Sequence, residues 1–264
     1  MSNVDIQKLV DVMSKLRAPD GCPWDREQDH NTLKRFLVEE SYEVIEAIED
    51  KDYEHLKEEL GDLLLQVVFH AQVANESKLF TFQDVIDGIY NKLIHRHPHV
   101  FKDALVNTSR DVEVMWEDIK RKEKKHMNTD GTERSAIDGV PMGMPATLQA
   151  VRLTEKAGRV GFDWENAKQV LDKIEEELNE LKESFAKNDR KEIEHELGDV
   201  LFAASNLARH LNADPEEVHR KALQRFRLRF KTMEKIAGER GQKFKDLPFA
   251  EKEKLWVEAK KIVG

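Results

Sequence analysis

The chain has 264 residues, of which 36% are charged and 39% hydrophobic, and its net charge is −9. It is too apolar for disorder and long enough for one large domain or two small ones. An acidic balance argues against a general nucleic-acid groove, which needs a basic face, although metal ions can reconcile acids with nucleotides. The single cysteine, Cys22, excludes a disulfide within the monomer and suits a reducing compartment. The start MSNVDIQKLV lacks the regions of a signal peptide, and the longest apolar run, LLLQVVFHAQVA, falls short of the ~18 residues that span a bilayer. A cytoplasmic protein with no nucleic-acid or membrane partner is expected.

Helical periodicity dominates, and the spacing predicts an all-α fold of about ten helices without a sheet. IQKLVDVMSKL (6–16) places Ile6, Leu9, Val10, Met13 and Leu16 on one face, and APDGCP (18–23) is a turn. EESYE (39–43) precedes a turn at EDKD (49–52), and EELGD (58–62) opens an apolar helix. YNKLIHRH stops at RHPH (96–99), and VMWEDIKRK follows around Trp116. The polar stretch 120–146 carries glycines, prolines and mixed charge, so it reads as a connector. The predicted domains are 1–127 and 147–264, with a linker or hinge over 128–146. In the second part EELNE (176–180) precedes a turn at KNDR (187–190), then come HELGD (195–199), NADP (212–215), PEEVHRKALQRFRLRF and KLWVEAKK around Trp256.

The two parts repeat one another. EESYE answers EELNE, and EELGD answers HELGD, with the first acid cluster beginning 20 residues before the Glu of ELGD in both. Further on, Lys92 pairs with Arg225, Arg96 with Arg229 and Trp116 with Trp256.

A hairpin turning at KNDR explains the acids. Asn188 is the midpoint of Glu180 and Glu196 and also of Glu177 and Asp199; Lys51 has the same relation to Glu43 with Glu59 and Glu40 with Asp62. Each hairpin then brings four carboxylates together as two facing rungs, and their repulsion calls for cations. Hard oxygen donors without a cysteine point to Mg²⁺, or Mn²⁺. Gly61 and Gly198 cost roughly 1 kcal/mol each against alanine in a helix, and close approach of a neighbouring helix or a ligand is the expected compensation. A di-iron site is a weaker alternative: Glu192 and His195 form ExxH, but His195 faces away from Glu196 and the first half lacks the motif. His95, His97 and His99 surround a helix end broken by Pro98 and read as structural.

EExxE, a sixteen-residue step and ExxD on a helical scaffold, with GCPWDREQ (21–28), RHPHVF (96–101) and GVPMGMPA (139–146), resemble the MazG family of nucleoside triphosphate pyrophosphohydrolases. The resemblance spans essentially the whole chain and implies two tandem MazG-like helical-bundle domains. It also implies Mg²⁺-dependent hydrolysis of nucleoside triphosphates to monophosphate and pyrophosphate, nucleotide-pool or stress physiology, a homodimer, and an unidentified regulatory partner. Carried onto this chain, Glu177, Glu180, Glu196 and Asp199 are metal ligands, matched by Glu40, Glu43, Glu59 and Asp62 in the first half. Glu176 (or Glu39) becomes the candidate to orient or activate water. Lys173, Arg225, Arg229 and Trp256 fall in the nucleotide site. Without the resemblance, Arg225 and Arg229 read as surface charges and Trp256 as a core residue, while Trp24 and Trp164 read as packing residues. Phe36 stands where Lys173 stands in the second half, so most catalysis is expected from the second half. A narrower substrate, such as a deoxyuridine nucleotide or a damaged triphosphate, and a non-catalytic interaction protein are the alternatives.

Overall fold

The computed structural model describes residues 5–102 and 135–264 and, between them, a few isolated positions that include Trp116 and Glu123. The predicted boundary at 127 and the linker as far as residue 134 lie outside the described residues. The chain forms two compact units, Met1–Lys125 and His126–Gly264. The described residues form eleven α-helices and one 3-10 turn, with no strand among them.

The first unit contains α1 (Ile6–Leu16), α2 (Pro23–Glu27), α3 (His30–Asp50), α4 (Tyr53–Glu76), α5 (Phe82–Arg96) and α6 (Pro98–Phe101). Met13 of α1, Leu33 of α3, and Val68, Phe69 and Val73 of α4 form its core, with Leu9, Val10 and Phe36 packed against them. Of the face expected on α1, Ile6 and Leu16 stay largely exposed. Arg17 ties the start of the unit to the end of α4: its Nε lies 2.8 Å from Glu76 Oε1, and its Nη1 donates to Gln28 O at 3.0 Å.

The second unit contains α7 (Ala146–Gly158), α8 (Ala167–Lys187), α9 (Arg190–His210), α10 (Pro215–Glu239), the 3-10 turn Phe244–Asp246 and α11 (Phe249–Val263). Met233, Ile236 and Ala237 of α10 pack with Leu255 and Ala259 of α11. The second arm of the α8–α9 hairpin, α9, lies against α7. Gln149 Nε2 donates to Met142 O and Met144 O, fixing the end of the segment expected as linker onto α7.

The two hairpins that carry the acids turn alike. Lys51 ends α3 and Asn188 ends α8 in the left-handed region, at φ 56° and 54°. Each is followed by an aspartate, Asp52 or Asp189, whose carboxylate accepts backbone N–H groups of the next helix. The predicted midpoints are the residues at which the chain reverses. Gly61 and Gly198 do not serve close packing within their units: a Cβ at either position would meet nothing within 4 Å.

Candidate active site

Each hairpin gathers three carboxylates. In the second unit Glu177, Glu196 and Asp199 each offer an oxygen within 4.8 Å of the other two; in the first unit Glu40, Glu43 and Glu59 do the same. The fourth acid of each expected set, Glu180 or Asp62, lies outside its trio, yet both remain electrostatic neighbours. Burial and then Glu177 and Glu196 push the Glu180 carboxyl upward, while burial and then Asp62 do so for Glu40. The facing rungs therefore exist, with the second unit's trio built on the Glu177–Asp199 rung and the first unit's on Glu43–Glu59.

The trios differ in what neutralises them. Lys173 Nζ lies 2.7 Å from Glu176 Oε1 and 2.9 Å from Glu177 Oε1. Hydrogen bonds to Glu176 and then Glu177 hold its pKa well above the usual lysine value, so it stays charged. Glu177 is only 7% exposed, and this lysine compensates its burial. In the first unit Phe36 takes the lysine's place and packs on the core, 5.7 Å edge-on from Trp24. There His55 Nε2 sits 2.9 Å from Glu59 Oε1, while Glu59 Oε2 is buried without a hydrogen-bond partner. A carboxylate trio with an unpartnered buried oxygen is a hard-donor set that fits Mg²⁺ or Mn²⁺.

Beside the second trio opens a cavity of about 750 Å³. Lys173, Glu177 and Asp199 line it together with Leu153, Phe162, Trp164, Val170 and Phe202. Ile137, inside the segment expected as linker, also reaches it. Trp164 is thus no core residue: it lines the cavity and is 44% exposed. Nor does the sequence reading find Asp163 and Arg209. Arg209 Nη1 donates to Asp163 Oδ2 at 2.9 Å and Nη2 to Oδ1 at 2.5 Å, with His210 Nε2 3.1 Å from Oδ1. These bonds, the Arg209 ones first, hold the Asp163 carboxyl below its usual value. The signal was available in GFDW, where Gly161 takes φ 85° and folds the loop back.

Arg225, Arg229 and Trp256 do not line this cavity. Arg225 is exposed on α10. The Arg229 guanidinium lies 5.6 Å over the Trp256 ring, and its Nη2 donates to Gly264 O at 2.7 Å. Trp256 packs on the α10–α11 core, and Phe226 is 5.5 Å from it. In the first unit Arg96, the counterpart of Arg229, is paired with Glu123 instead.

Residues 28–101 match the MazG nucleotide pyrophosphohydrolase domain, and residues 153–226 match phosphoribosyl-ATP pyrophosphohydrolase. The nucleoside triphosphate pyrophosphohydrolase/pyrophosphatase MazG of Thermotoga maritima is 48% identical over 255 residues, covering 96% of this chain and 95% of that protein. The chain belongs to the MazG nucleoside triphosphate pyrophosphohydrolase family. The nucleoside triphosphate pyrophosphohydrolase of Escherichia coli is 40% identical over 97% of both chains. The MazG-like sequence also occurs inside longer proteins: YabN of Bacillus subtilis, uncharacterized, is 43% identical over 94% of this chain but only 50% of its own length. The expected enzyme class and an all-α fold of two MazG-like units in tandem both hold. No helix of the described residues is long and apolar enough to cross a membrane.

Proposed function

We propose that the protein hydrolyses nucleoside triphosphates to monophosphate and pyrophosphate with Mg²⁺, and that the second unit carries most of the turnover. The observation that carries this reading is Lys173, bridged between Glu176 and Glu177 at the edge of a carboxylate trio that opens on a cavity. Glu177, Glu196 and Asp199 hold the cation, with Glu180 as a fourth ligand; Glu40, Glu43, Glu59 and Asp62 form a weaker second site. Bound there, the cation supplies charge neutralisation of the polyphosphate and a more acidic water.

The chain's own groups do the rest. Glu176 orients the attacking water, and Lys173 keeps it placed by a 2.7 Å contact. Water adds at the α-phosphorus as Glu176 takes its proton, the P–O bond bridging the α- and β-phosphates breaks, and pyrophosphate leaves with the electron pair. Lys173 turns from Glu177 to the phosphate oxygens once the carboxylates are engaged, so the site gains positive charge where negative charge develops. Arg225, Arg229 and Trp256 belong to the nucleotide site by the family resemblance alone, since none of them lines this cavity.

A homodimer in a reducing cytoplasm, clearing or regulating nucleotide pools, completes the proposal. Leu60, Leu64 and Val67 form an exposed apolar stripe on α4, and Leu197 and Leu201 repeat it on α9. Such stripes suit an isologous helix contact between two copies. Chromatography of the products from ATP and Mg²⁺ tests the reaction: AMP with pyrophosphate is expected, and ADP with phosphate contradicts it.

A further inference from the structure

We infer that the first unit takes a divalent cation without a nucleotide, whereas the second takes its cation together with one. This division of labour rests on the proposed reading of both trios as cation sites. It follows from what the repeat places around each.

The match of Glu40 to Glu177 and of Glu59 to Glu196 carries Phe36 to Lys173, Gln66 to Ala203 and Phe69 to Asn206. Lys173, Ala203 and Asn206 all line the cavity beside the second trio. Their counterparts fill space instead. Phe69 belongs to the first unit's core and Phe36 packs against it. Trp24 meets both rings edge-on, with centroids 5.7 Å and 6.5 Å away. The Arg17 guanidinium lies over Phe69, 5.5 Å from the ring centre, and Gln66 is 6% exposed. Side chains of that size, packed as a core, take the volume that a nucleotide would need.

The first trio itself stays ready for a cation. Glu59 is 7% exposed; His55 Nε2 meets its Oε1 at 2.9 Å, and its Oε2 is buried without a hydrogen-bond partner. A buried carboxylate oxygen without a partner is costly, and a hard cation held jointly with Glu40 and Glu43 satisfies it. The lysine and arginine of α3 are engaged elsewhere. Lys34 Nζ donates to Asn31 Oδ1 at 2.9 Å, and the Arg35 guanidinium lies 4.3 Å over the Phe36 ring.

In the second unit Lys173 already neutralises the trio. Its Nζ is 2.9 Å from Glu177 Oε1, so a lone cation must displace an ammonium from a buried carboxylate. A metal-bound polyphosphate brings oxygens that receive the lysine in exchange. The weakness of the first site is thus toward the nucleotide, and its occupancy follows the free cation.

The test titrates Mn²⁺ into the full-length protein without nucleotide and follows the free ion by electron paramagnetic resonance. Calorimetric titration of α,β-methylene-ATP in Mg²⁺ buffer then reads nucleotide binding. The wild type is expected to bind a single Mn²⁺ per chain. Glu40→Gln with Glu43→Gln abolishes that binding, and Glu177→Gln with Glu180→Gln leaves it. The nucleotide analogue shows the reverse dependence. Lys173→Met gains a second nucleotide-free Mn²⁺ per chain, because the buried Glu177 is then left without its ammonium. Absence of nucleotide-free Mn²⁺ binding in the wild type overturns the inference. So does Mn²⁺ binding that survives loss of Glu40 and Glu43, or analogue binding that disappears with them. Absence of turnover in the wild type overturns the proposed reaction instead, and the Mn²⁺ titrations still decide how the two sites load.

Discussion

Lys173 Nζ and Glu177 Oε1 are 2.9 Å apart, whereas the matching position of the first unit holds Phe36, which packs on the core. Because the pair is part of the second trio's electrostatics and compensates the burial of Glu177, Lys173→Met should lower both turnover and stability. Loss of one preorganised charge typically costs about 100-fold in kcat, and a buried carboxylate left without its cation costs about 1–3 kcal/mol. Steady-state kinetics beside a thermal melt read both numbers.

Gly198 lies in α9 with open space around it, and Gly61 does so in α4. Replacing either by alanine should therefore stabilise its helix by about 0.5–1 kcal/mol, through propensity alone. The melting temperature should rise by a few degrees. A fall would mean that something outside the single chain, such as a second copy, approaches the glycine.

His70 in α4 stacks on His30 of α3, with Nδ1 atoms 2.8 Å apart, and its Nε2 is buried without a partner. Burial, and then the charge of His30, lowers the His70 pKa below its ordinary 6.5. The unfolded chain therefore binds the proton more tightly than the native one. Stability contributed by neutral His70 is full above pH 6.5 and is lost as the pH falls through the depressed native value. His70→Gln should flatten the acid side of the stability profile. The comparison is the drop in melting temperature from about pH 7.5 to about pH 5.5 in each protein.

Arg209→Ala removes both bonds to Asp163 and leaves a partly buried carboxylate with only His210 and the Trp164 backbone N–H. The expected cost is about 2 kcal/mol, as for other hydrogen bonds to charged groups. Nucleotide KM should rise with it, since the loop bearing Trp164 loses its anchor. Denaturant melts and KM for ATP check the two effects separately.

The acids and their hairpins were legible because the constraint is local. A helix turn sets the spacing of three, a left-handed residue followed by a capping aspartate sets the reversal, and the two together place Glu177 opposite Asp199. The fourth acids were not legible as outliers, since which oxygens meet across a hairpin depends on rotamers rather than spacing. Trp164 was misread as packing for a related reason: its environment is made by the Asp163–Arg209 contact, between residues 46 apart in sequence. The role foreseen for Gly61 and Gly198 failed within the units because α4 and α9 turn those positions outward, next to Leu60 and Leu197.

The central claim is that the trio beside the cavity, in the second unit, is the main catalytic centre. The most direct measurement is ATP turnover by two full-length double variants, Glu177→Gln with Glu180→Gln, and Glu40→Gln with Glu43→Gln. Loss of turnover in the first and retention of most of it in the second is the predicted result. Loss in the second with survival of the first would place the chemistry in the first unit and contradict the account.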